Sequence, residues 1–305
     1  MEAQEIPQIE HEARTPKKRE LALVSRSTYL KEKALQWIFF ACAFLAVVTV
    51  ILIFVFTTYS ALPVFTDIGL ADFFSFTWAP SEGHYGIMSL LAGSGLVTVG
   101  ALAMGVPLGV GTAVYLVEIA SKRVRKLISP AVDLLAGIPS IIFGLVGMLL
   151  FVQRLGLKAG ILAGGLTLVV MILPTIVRTT QESLKTVPQS YREGALGLGA
   201  GKWRMVRTVV LSNAIDGIVT GCILAVGRIV GESAALLYTA GFGLVLNGFF
   251  TALHSSSATL TVALYVYANE RGETAVAFSI ATILMVLTLL INLTAGIIGR
   301  KLKRK

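Results

Sequence analysis

Arg228 and Glu232 are the two residues best placed to do chemistry. They lie four positions apart near the end of an apolar run, Val226-Gly227-Arg228-Ile229-Val230-Gly231-Glu232. Charge inside an apolar span is costly and usually functional. On a continuing helix this spacing puts both side chains on one face. A guanidinium stays charged and presents five donors in a fork, which suits an oxyanion. Glu232 would then hold Arg228 and keep the net charge of the site low, so that the anion is released as well as attracted. The alternative is a buried ion pair that locks this segment to a neighbour. The order Arg-then-Glu is the weaker helical orientation, so a mere surface pair explains it poorly. Asp133 and Asp216 lie near the ends of apolar runs, where capping or interfacial roles fit better than solute contact.

No other constellation points to catalysis. His11, His84 and His254 are scattered, and Cys42 and Cys222 each sit alone in apolar runs. Such cysteines read as small hydrophobes, with neither metal-ligand nor disulfide spacing. Gly194 to Gly201 followed by Lys202 superficially resembles a phosphate-binding loop. That loop needs Gly five residues before its Gly-Lys pair and Ser or Thr after it. Leu196 and Trp203 occupy those positions. The chain is therefore expected to hold no cofactor and no catalytic site.

The elements that position these residues belong in a membrane. The 305 residues are 55% hydrophobic and 14% charged, with mean hydropathy +0.79, against about 25% charged in soluble domains. A spanning helix needs about 20 apolar residues. Six segments qualify, at roughly 34–59, 88–117, 131–152, 160–177, 208–231 and 274–298. Residues 1–33 read as a polar cytoplasmic tail without the pattern of a secretory signal. Residues 60–87 read as an external loop whose Trp78 and Tyr85 suit the interface. Residues 236–269, broken by Gly241, Gly243, Gly248 and the polar run from His254 to Ser257, read as a second external loop, partly re-entrant.

Lys and Arg flank the spans unequally. Of the 26 cations, 22 fall before the first span, between the second and third, between the fourth and fifth, or after the sixth. Only Arg154, Lys158 and Arg271 fall on the other side, and Arg228 lies within a span. This places both termini in the cytoplasm of a multi-pass protein. It also reads the net charge of +9 as a topology and anionic-lipid signal rather than a nucleic-acid one. Pro107, Pro139 and Pro174 interrupt backbone hydrogen bonding inside apolar spans, so kinks are expected there. Such breaks suit helix packing or a moving wall that lines a cavity.

Five stretches carry a family resemblance. Gly105-Val106-Pro107-Leu108-Gly109, Ala136-Gly137-Ile138-Pro139-Ser140 and Leu173-Pro174-Thr175 lie in the spans. Gly227-Arg228-Ile229-Val230-Gly231-Glu232-Ser233 closes the fifth. Between spans four and five, Glu193-Gly194-Ala195 is followed by Gly199, Val209 and Leu211-Ser212. The last layout resembles the coupling loop of ABC-importer permeases, with pattern Glu-Ala-Ala, then Gly, then Ile-x-Leu-Pro. Gly194, Val209 and Ser212 depart from it. Over about residues 90–298 the chain resembles the PstA family, permeases of phosphate ABC importers.

The resemblance implies an all-α fold of six transmembrane helices, of the type I (MetI-like) ABC-importer permease. The permease domain would cover 88–298, with the coupling loop at 184–207 and a basic tail at 299–305. It implies that Arg192, Glu193, Gly194, Ala195, Gly199 and Lys202 form the face that docks an ATPase. The small residues let the backbones approach, and the charged ones form ion pairs at the rim. Arg228 and Glu232 would lie on the solute path. The implied partners are a PstC-like second permease, a PstB-like ATPase dimer that binds ATP and Mg, and an extracytoplasmic PstS-like phosphate-binding protein. The implied location is a bacterial or archaeal cytoplasmic membrane. Rival readings are a permease of the same fold for sulfate, molybdate or a polyamine, a secondary transporter, and a membrane subunit that signals phosphate status.

Overall fold

The computed structural model describes residues 26–79, 84–243 and 255–302. The chain divides into two compact units, residues 1–55 and 56–305, and the boundary falls inside the first helix, α1 (Arg26–Ile68). In the first unit the helix exposes its apolar side chains all round, among them Ile38, Phe39, Phe40, Leu45 and Ile51. A surface helix in water would show a polar face, so this segment belongs in lipid or against protein. Residues 26–33, expected in the tail, are already helical, and the helix runs to Ile68 rather than ending near 59. It passes through Pro63 and stops at Gly69, whose φ of 75° suits a residue without Cβ. The expected loop over 60–87 is thus shorter.

The second unit continues with α2 (Leu70–Phe73), a two-stranded hairpin, α3 (Met88–Ile119) and α4 (Lys122–Ala136). The hairpin pairs β1 (Trp78–Ala79) with β2 (His84–Tyr85), Trp78 opposite Tyr85. Then come α5 (Ser140–Arg154), α6 (Ile161–Thr186), α7 (Gln189–Gly197) and α8 (Lys202–Val230). The described chain ends with α9 (Ala234–Thr239), α10 (Leu260–Tyr265, extended by a wider turn to Glu270) and α11 (Thr274–Leu302). Among the described residues, five helices are long and apolar enough to cross a membrane, and α4 with α5 makes a sixth if the bent pair is taken as one span.

The third expected span, 131–152, is the one that changes most. α4 and α5 meet at an angle of 102°, because Gly137 closes α4 and Pro139 caps the start of α5. Pro cannot continue the preceding helix but is suited to beginning the next. Pro107 and Pro174 behave differently, since α3 and α6 continue through them. Of the three expected break points, Pro139 alone interrupts its helix.

α6 is the central element. Leu168, Met171, Ile172 and Ile176 along it are fully buried, with α3 on one side and α8 on another. Close approach depends on small residues, as in other membrane helix pairs. A Cβ at Gly105 would come within 2.7 Å of Ile172 Cδ1, and one at Gly109 within 2.7 Å of Ile176 Cγ2. On the opposite side, Gly217 and Gly221 of α8 abut Ser183 and Thr179 of α6, and Ser183 Oγ donates to the Ala214 carbonyl at 2.8 Å.

The segment read as a second loop is largely structured. Leu236, Ala240, Ser257 and Leu260 are buried, while residues 244–254 lie outside those described. Trp78 is not an open interfacial residue either. It is 5% exposed and its Nε1 donates to Tyr267 Oη at 2.8 Å. Arg271 Nη1 donates to the same oxygen at 3.1 Å, and its guanidinium lies over the Tyr267 ring, 4.9 Å from the centroid. The hairpin is thereby fastened to α10.

Candidate coupling face and solute path

The coupling face is built where α6 ends. Pro188 caps α7, a short helix of nine residues. It stops in a Schellman turn, the common left-handed helix ending. Gly199 has φ 82°, its amide donates to the Leu196 carbonyl, and the Ala200 amide donates to the Ala195 carbonyl, both at 3.0 Å. Gly199 is therefore required by backbone conformation. It is also open, as are Gly194, Gly197 and Gly201, with nothing within 4 Å of an added Cβ.

Large apolar side chains stand out around this turn. Leu198 is 91% exposed, Trp203 65% and Tyr191 52%. Glu193 and Lys202 are exposed beside them. Ala195 faces the other way and packs on the buried cluster that includes Leu184, Val187, Met205 and Val206. Exposed apolar groups rimmed by charge mark an interaction surface.

Arg192 does not belong to that rim. Its Nη2 pairs with Glu118 Oε1 at 2.9 Å, and the two side chains are only 12% and 8% exposed. The same nitrogen donates to the Leu184 carbonyl at 2.8 Å, and Nη1 donates to the Val187 carbonyl at 2.6 Å. In the sequence Glu118 closes the stretch Tyr115-Leu116-Val117-Glu118, which shares in the family resemblance, but it was given no role of its own. The signal was available: it is an acid at the end of an apolar span, just before a run of cations.

The expected pair on the solute path is not formed. α8 ends at Val230 and Gly231 closes it, so Glu232 lies off the helix and the same-face argument fails. Glu232 Oε1 accepts from the Ala235 amide at 2.9 Å, which caps the start of α9, and its backbone carbonyl accepts from Thr261 Oγ1 at 2.8 Å. Arg228 is half-buried and makes no hydrogen bond or ion pair with any described residue. A different pair does form within the helices: Arg178 of α6 is bonded to Asp133 of α4, with both side chains nearly half exposed. No cluster of three or more metal-ligating side chains occurs among the described residues.

The model of the family described as "Binding-protein-dependent transport system inner membrane component" matches residues 105–304. Probable ABC transporter permease protein YqgI of Bacillus subtilis (strain 168) is 37% identical over 216 residues, 66% of this chain and 73% of that protein. Phosphate transport system permease protein PstA 1 of Mycobacterium tuberculosis (strain ATCC 25618 / H37Rv) is 35% identical over 72% of this chain and 71% of its own. PstA of Yersinia pestis is 35% identical over 77% and 79%. Among solved structures, a bacterial alginate ABC transporter in complex with its pentasaccharide-bound periplasmic protein aligns with TM-score 0.64 at 15% identity, covering 89% of this chain and 96% of that one. An inward-facing MetNI methionine ABC transporter aligns with TM-score 0.56 at 22% identity, covering 71% and 94%. The fold is thus that of the MetI-type importer permeases.

Proposed function

The chain belongs to the binding-protein-dependent transport system inner membrane component family, and from that premise we propose that it moves inorganic phosphate through an ATP-driven importer. It is a membrane-embedded permease subunit of an ABC importer. In this reading its partners are a PstC-like permease, a PstB-like ATPase dimer that binds ATP and Mg, and a PstS-like phosphate-binding protein. The observation that carries the ATP-driven part is Leu198, 91% exposed on a stopped helix, where a soluble partner can cover it.

The choice of phosphate is supported by the PstA relatives and by the chemistry of Arg228. Its guanidinium lies in an apolar helix without a carboxylate beside it among the described residues. A fixed cation of this kind attracts an oxyanion and, being single, does not trap it. ATP binding would favour one access state over the other by a few kcal/mol through contacts at α7.

The test is uptake of labelled phosphate, sulfate and molybdate by the purified complex in vesicles, with and without ATP. Phosphate uptake that requires ATP is expected. Preference for sulfate or molybdate would replace the substrate, and uptake without ATP would remove the ATP-driven reading. The docking face is tested separately by Leu198→Asp, which should release the ATPase without disturbing the helices.

A further inference from the structure

Arg192 connects three helices at once. It sits on α7, pairs with Glu118 in the last turn of α3, and donates to carbonyls at the end of α6. The last carbonyls of a helix lack helical partners, and a cation there is favoured by the helix dipole. The α3 end is held again from α4. Its last turn is a wide one, in which the Ala120 amide reaches back to the Tyr115 carbonyl at 2.7 Å. Arg125 Nε donates to the Leu116 carbonyl at 2.7 Å and Nη2 to the Val117 carbonyl at 2.8 Å. At its other end α4 carries Asp133, bonded to Arg178 of α6.

These contacts close a circuit, α7 to α3, α3 to α4, α4 to α6, and α6 back to α7. We infer that the Arg192–Glu118 pair is the positioning link that carries displacement of α7 into α3 and α4, and so to the bend at Pro139. The inference rests on the reading that the turn at Leu198 docks the ATPase. Burial decides which contact is the stiff one. The Arg192–Glu118 pair is screened from water, whereas Arg178–Asp133 is nearly half open, so salt weakens the second far more than the first. Bonds to three separate acceptors also fix the guanidinium plane, which a point-charge ammonium cannot reproduce. An open cleft of about 370 Å³ lies alongside, lined by Lys185, Gln189 and Leu196 as well as the pair itself.

The experiment uses the reconstituted complex with its ATPase and binding protein, carrying Glu118→Gln, Arg192→Ala or Arg192→Lys. Three quantities are read: ATPase retained per permease pair, basal ATP hydrolysis, and hydrolysis plus uptake stimulated by loaded binding protein. The ATPase should remain bound and basal hydrolysis should stay near wild type. Stimulated hydrolysis and uptake should fall together by about tenfold, the size of an ordinary coupling term. Arg192→Lys, which keeps the charge, covers the case in which Arg192→Ala does not insert, and it should show the same loss to a smaller degree. Stimulation and uptake within twofold of wild type would overturn the link. Loss of the ATPase from the Arg192 variants would also overturn it, by making the pair part of the dock. Leu198→Asp separates the two readings: if it retains the ATPase, the docking reading fails whatever the pair does.

Discussion

Arg228 sits two residues before the end of α8 with no described carboxylate to neutralise it, while Glu232, four positions on, caps α9. The two residues therefore do separate things, and substitutions should separate them. Arg228→Gln removes a charge that supports no described contact, so the complex should assemble and phosphate uptake should fall by at least about tenfold, equivalent to about 1.4 kcal/mol. Adding Glu232→Gln should not restore uptake, because no buried carboxylate was left stranded; restored uptake would mean that the two charges are coupled after all. Glu232→Ala should instead lower stability by about 1 kcal/mol, the usual worth of a helix cap, read as a lower unfolding temperature of the detergent-solubilised subunit. That Arg228 and Glu232 are charges within an apolar run was legible in the sequence. Their pairing was not. It depends on α8 ending at Val230; Gly231 after a last turn bearing Arg228 is a stop signal, but the same-face reading carried the helix through it to Glu232. The Glu118–Arg192 pair was hidden for another reason: its partners are 74 residues apart, and nothing local joins them.

At the scale of elements, α7 and its turn show how one glycine serves backbone and surface together. Gly199→Asp would add charge to the docking face, but it would also strain a residue at φ 82°. A left-handed conformation costs a non-glycine residue about 1–2 kcal/mol. Gly199→Ala carries the strain without the charge, so it should lower the unfolding temperature while losing less ATPase than Leu198→Asp. Equal loss of ATPase by both, with unchanged stability, would show that the turn conformation is unimportant. The hairpin offers a second check. Trp78→Phe keeps an aromatic side chain but removes the donor to Tyr267 and part of the buried indole, which should cost at least about 1 kcal/mol, read in the same melting assay. The positions of the long helices were readable from apolar length alone. Their ends were not, because α1, α6 and α11 run on through polar residues once neighbours or a glycine stop define them. The bend between α4 and α5 could be placed at Pro139 but not sized, since a proline in a span permits either an unbroken helix, as at Pro107, or a sharp turn.

For the whole molecule the open question is which end faces the cytoplasm, because a helical bundle has the same internal contacts either way up. The cation count is the basis for the orientation we propose: translocation of Lys and Arg is disfavoured, and 22 of 26 flank one set of ends of the expected spans. The structure joins two of these groups. The α3–α4 junction with Arg123 and Lys126, and the α6–α8 junction with Lys185 and Lys202, are joined by the Glu118–Arg192 pair, so they must lie on the same side. The α10–α11 junction with Arg271 lies one span away from the α8 start. Cysteine labelling tests the assignment in a background with Cys42 and Cys222 replaced. Ser190→Cys, on the exposed start of α7, should react with an impermeant maleimide only after the membrane is opened. Asn269→Cys, exposed beside Arg271, should react in intact cells; Ser81 would serve the same purpose but lies outside the described residues. Reaction of Ser190→Cys from outside, with protection of Asn269→Cys, would invert the protein. An inverted protein could not present Leu198 to a cytoplasmic ATPase, so the ATP-driven reading would fall with the topology.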